Sequence, residues 1–90
     1  MKRIHLIISG RVQGVCFRYF VKEKAKQFKL KGWVKNNIGG TVEIIAEGDD
    51  ENIESFLEYC KHGPKLSLVK DIKLQYENPN QEFKDFEIRF

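Results

Sequence analysis

The chain predicts an α+β fold: one antiparallel-to-mixed sheet that carries two helices on the same face. Three observations carry that expectation. Apolar residues alternate with period two in several short stretches, two other stretches repeat at helical spacing, and 90 residues leave room for one core only. A single domain over residues 1–90 is therefore expected.

Ile4, Leu6 and Ile8 alternate with Arg3, His5 and Ile7, the pattern of a strand with one face on a core, and it stops at Gly10. His5 should then point away from the helices. Phe17, Phe20, Val21, Ala25 and Phe28 form one stripe of a first helix, whose other side is Lys22, Glu23, Lys24, Lys26 and Lys29. Gly32 lies just beyond it. Trp33 to Asn36 reads as a second strand, Gly39-Gly40 as a turn, and Val42, Ile44 and Ala46 as the inward face of a third strand closing a hairpin.

Asp49 and Asp50 offer N-cap oxygens to a second helix with the stripe Ile53, Phe56, Leu57 and Cys60, ended by His62-Gly63-Pro64. Ile72, Leu74 and Tyr76 alternate in a fourth strand, which Asn78-Pro79-Asn80 breaks. Phe86, Ile88 and Phe90 make a short last one. The order is βαββαβ with an extra C-terminal β, the ferredoxin-like split arrangement. Trp33 and the seven phenylalanines are expected in the core. In this topology the first two strands are parallel, so the end of the first strand, the start of the first helix and the end of the second strand share one sheet edge. The opening loop and Asn36 should therefore meet in space.

Composition narrows the function classes. The apolar run Leu6–Ile8 is far short of the roughly 18 residues of a membrane span, and Met1-Lys2-Arg3 leads into a strand pattern rather than a signal sequence. A cytoplasmic protein with no membrane contact is expected. Two cysteines are too few for a disulfide scaffold and lack zinc-site spacing. The net charge of +3 suits small anions or a weak acidic partner, or reads simply as a solvated lysine surface. No nucleic-acid partner is expected, because the chain lacks an aromatic RNP-like run.

The segment SGRVQGVCFRYF, Ser9 to Phe20, joins the first strand to the first helix. Gly10 and Gly14 permit positive φ, so successive N–H groups can turn inward as an anion nest, and the helix start attracts negative charge to the same place. Arg18, in the first turn, offers a two-pronged grip on a phosphoryl group. The loop is neither a Walker nor a dinucleotide pattern. A tight strand-to-helix turn with a surface arginine is the alternative reading.

"GRVQGVCFR", then "GWVKN", a "GGTVE" hairpin, "GP" after the second helix and a closing "DFEIRF" together resemble the acylphosphatase family over essentially the whole chain. The resemblance implies a ferredoxin-like enzyme, needing no metal or cofactor, that hydrolyses small acyl phosphates; inorganic phosphate and sulfate are expected to compete, since they share the tetrahedral oxyanion that the nest and Arg18 would recognise. It makes Arg18 the phosphate-binding arginine and Asn36 the water-positioning asparagine. Backbone amides would come from Arg11, Val12, Gln13, Gly14, Val15, Cys16 and Phe17. A monomer is expected. Cys16 departs from the glycine or aromatic residue expected at its place. It reads either as a buried thiol packed behind the loop or as a reactive one, with pairing to Cys60 a remoter alternative. The other function classes are a nucleic-acid-binding module and a phosphate-sensing domain without turnover.

Overall fold

In the computed structural model, which describes residues 1–90, seven elements follow one another. They are β1 (Lys2–Arg11), α1 (Phe17–Gln27), β2 (Lys31–Asn36), β3 (Val42–Gly48), α2 (Asp50–His62), β4 (Leu68–Glu77) and β5 (Phe86–Arg89). The sheet order is β4-β1-β3-β2-β5. β1 runs antiparallel to β3 and β4, β2 antiparallel to β3, and β5 parallel to β2, which gives the expected ferredoxin-like sheet with its extra strand.

Burial follows the sequence periods. Ile4, Leu6, Ile8, Val34, Val42, Ile44 and Ala46 from the sheet form one apolar cluster with Phe17, Val21 and Ala25 of α1 and Ile53, Phe56, Leu57 and Cys60 of α2. Both helices thus cover the same sheet face. β1 is bent where its register with β4 shifts between Ser9 and Gly10. Gly10 has φ +124° there, and any Cβ would collide with the Leu68 carbonyl. The bulge adds local twist at the end of β1, which aims the chain into the following loop.

Three expectations need correction. Asp49 precedes α2 but makes no side-chain capping bond, and Asp50 instead pairs with the N-terminal amine at 2.9 Å. In β4, Ile72 packs against the core, but Leu74 and Tyr76 are 40% and 51% exposed because β4 is an edge strand at the margin of α2's cover. Trp33 lies on the outer sheet face under the cations of Lys35 and Arg89, and Phe90 is exposed beyond β5. His5 does face outward, 2.6 Å from the Glu43 carboxylate.

β4 and β5 occupy opposite sheet edges, so residues 78–85 must cross between them. Arg3 holds this crossing. Its Nε donates to Glu77 at 2.9 Å, and its Nη1 donates to Asn80 at 2.9 Å and Glu82 at 2.8 Å, with Glu47 at 3.5 Å. Glu47, almost fully buried, also accepts from the Gln81 N–H at 2.8 Å. Arg3→Met leaves the Glu47 charge buried with that single donor, so a loss of about 2 kcal/mol is expected. Thermal denaturation should read it as a midpoint drop on the order of 10 °C. The hydrogen bond from Arg3 holds the Glu82 carboxyl below its usual range. The clasp is therefore at full strength at neutral pH and weakens as pH falls through that lowered value.

Candidate active site

The loop between β1 and α1 is anchored from below. Val12 and Phe17 are buried and Val15 packs against the core, while Arg11, Gly14 and Cys16 remain exposed. Gly14 has φ +73° and Cys16 φ +62°, both left-handed. Such alternation turns successive N–H groups toward one concave side. No backbone N–H from Val12 to Tyr19 donates to any protein acceptor. These donors meet the start of α1, where Cys16 supplies no cap and the first turn holds no acidic residue. α2 differs, with Asp50 and Glu51 in its first turn. An arginine in a first turn opposes the helix dipole, and an anion bound there would offset that cost.

Cys16 is exposed rather than packed behind the loop, because its left-handed backbone turns its side chain out at the helix entry. That conformation also explains why glycine is the expected residue type at this position. Cys60 is free and fully buried in α2, and burial pushes its thiol pKa up. No disulfide joins the two.

Asn36 ends β2 two residues after the buried Val34, so it shares the helix-facing side of the sheet. Its Oδ1 is shielded from solvent and no protein donor reaches it. An orphaned buried acceptor costs about 1–3 kcal/mol, which only a donor admitted to the site would offset. The sheet-edge geometry expected from topology is present. Gln13 of the loop donates to the carbonyls of Asn37 at 2.8 Å and Thr41 at 2.9 Å, in the turn that follows Asn36.

The Arg18 guanidinium lies against the C-terminal residues. Its Nη1 donates to the Arg89 carbonyl at 3.3 Å, and its Cζ sits 4.7 Å from the centre of the Phe90 ring. Arg89 is opposite Lys35 in the β2–β5 register, one residue before Asn36. Arg18 is thus docked beside the end of β2, with its remaining N–H donors uncommitted. The sequence pattern had placed Phe90 in the core, and nothing in its spacing marked it as a support for Arg18. No group of three or more His, Cys, Asp or Glu side chains is arranged to hold a metal ion, and no helix is long and apolar enough to cross a membrane. The arrangement leaves a run of unpaired loop N–H donors at a helix start and one unpaired amide oxygen at the adjoining strand end.

Comparison with known proteins identifies the family. The Acylphosphatase family model matches residues 4–88. The acylphosphatase of Moorella thermoacetica is 45% identical over 89% of this chain and 86% of its own length, and that of Bacillus licheniformis is 43% identical over the whole of both. The crystal structure of acylphosphatase from Bacillus subtilis superposes with a TM-score of 0.96, at 43% identity and complete coverage of both chains. Likeness that extends through every element, from β1 to β5, leaves no part of the fold to another ancestry: the chain belongs to the acylphosphatase family.

Proposed function

We propose that this chain hydrolyses the carboxyl–phosphate anhydride of small acyl phosphates, acting as a single-domain, cytoplasmic monomer. The observation that carries the reading is the unbroken run of unclaimed N–H groups from Val12 to Tyr19 at an uncapped helix start. Such donors match the non-bridging oxygens of a phosphoryl group, over which charge is spread in the transition state. Arg18 completes the cradle with a planar guanidinium.

The leaving group is a carboxylate, which departs without a strong general acid. The attacking water must therefore be aligned opposite it rather than strongly activated. Asn36 Oδ1 accepts a hydrogen bond from one of its O–H groups, which leaves a lone pair directed at phosphorus. As the new P–O bond forms, the bond from phosphorus to the carboxylate oxygen breaks. The water gives up one proton to a phosphoryl oxygen and keeps the other in the product, since neither the loop nor the segment ending at Asn36 supplies a carboxylate or imidazole as base.

Release of inorganic phosphate from an aryl acyl phosphate by the purified protein, followed with a chelator present, tests this reading. Turnover should persist at the same rate. Phosphate release that stops with chelator and returns with magnesium overturns the mechanism. Inorganic phosphate and sulfate should inhibit competitively, less so as salt rises, and should raise the thermal midpoint by mass action. A midpoint and rate both unmoved by saturating phosphate would remove the loop as the anion site.

A further inference from the structure

Gln13 joins the loop to the turn after β2, and its contacts go beyond those of a loop residue lending a backbone amide. The Asn37 carbonyl already accepts from the Gly40 N–H at 3.2 Å, and the Thr41 carbonyl from the Asn37 N–H at 2.8 Å. Gln13 Nε2 donates to the second lone pair of each, at 2.8 and 2.9 Å. Asn37 Nδ2 braces the turn internally with a bond to Thr41 Oγ1 at 3.1 Å.

Two bonds diverging from one planar amide nitrogen fix both the position and the tilt of what they hold, whereas a single bond allows pivoting. The residues held flank Asn36, which precedes Asn37 and pairs with Val42 in the β2–β3 register. At the other end Gln13 is rooted between the buried Val12 plug and the left-handed Gly14. The backbone that presents the phosphate donors and the backbone that presents Asn36 are thereby coupled across β2 and α1, which lie between them in sequence.

We infer that Gln13 is a positioning residue that sets the separation of the anion cradle from Asn36 Oδ1. Its chemical consequence rests on the proposed hydrolysis, in which water and phosphorus must be aligned, and a displacement of about 1 Å can cost on the order of a hundredfold in rate. Gln13→Met keeps length and removes both donors. Gln13→Glu keeps shape, removes both donors at neutral pH and regains one O–H donor when protonated.

The experiment measures kcat and phosphate affinity for both variants, each alone and combined with Asn36→Ala, with amide exchange at Asn37 and Gly40 in parallel. Each single variant should lose roughly tenfold or more in kcat and much less in phosphate affinity, and should add little further loss in the Asn36→Ala background. The ratio of Gln13→Glu to parent kcat should rise as pH falls toward the carboxyl range, about 4. Full additivity with Asn36→Ala, or a parent-like kcat in both variants, overturns the inference. Should the Met variant fail to fold, the Glu variant carries the same comparison. Absence of turnover in the parent would instead refute the proposed hydrolysis, and the clamp would then stand or fall on exchange: faster exchange of the turn amides in the variants upholds it, unchanged exchange refutes it.

Discussion

Arg18→Ala is expected to reduce phosphate affinity and turnover together, with kcat/KM falling on the order of a thousandfold. The guanidinium is proposed to meet the phosphoryl group both in the bound substrate and during transfer, so both readouts should move. Arg18→Lys should recover little, because a point charge on a flexible stem reproduces neither the two-pronged grip nor the contact of the guanidinium with the Phe90 ring. Steady-state kinetics and calorimetric titration with inorganic phosphate check the pair of effects. A variant that keeps its phosphate affinity would assign Arg18 to the surface and leave the cradle to the backbone alone.

Asn36→Ala is expected to behave differently. Phosphate affinity should remain close to that of the parent while kcat falls on the order of a hundredfold or more, the loss of one preorganised polar contact to the water. Stability should hold or rise slightly, since the substitution also removes a buried acceptor that has no protein partner. A variant that binds phosphate normally and turns over at the parent rate would make Asn36 a turn residue, and another group would have to hold the water. The separation of the two phenotypes, Arg18 on binding and rate and Asn36 on rate alone, distinguishes a cradle with a positioned water from a site that only binds anions.

The fold was legible where packing repeats a local period. Ile4, Leu6 and Ile8 alternate because alternate strand residues face the helices, and Ile53, Phe56, Leu57 and Cys60 recur at helical spacing because one face of α2 meets the sheet. Period failed at the margins. Leu74 and Tyr76 keep the strand alternation on the helix-facing side, yet β4 is the edge strand at the margin of α2, whose cover does not complete their burial. Asp49 has the right chemistry for a cap but makes no such bond, since capping depends on side-chain direction and not on residue type alone.

For the candidate site, residue types and spacing alone established a glycine-bearing loop at a helix start, an arginine in its first turn and an asparagine at the end of a strand, and topology was enough to bring them to one edge. The left-handed turn of Cys16 and the docking of Arg18 on Arg89 and Phe90 required the tertiary structure. So did the solvent-shielded Oδ1 of Asn36 and the two hydrogen bonds that Gln13 donates to the turn carbonyls. The physical reason is one of range. Strand and helix periods arise from backbone geometry within a few residues, so they are written along the chain. The contact between Arg18 and Arg89 spans the sequence from the first helix to the last strand, and its partners carry no pattern until the sheet has assembled and set one edge against the other.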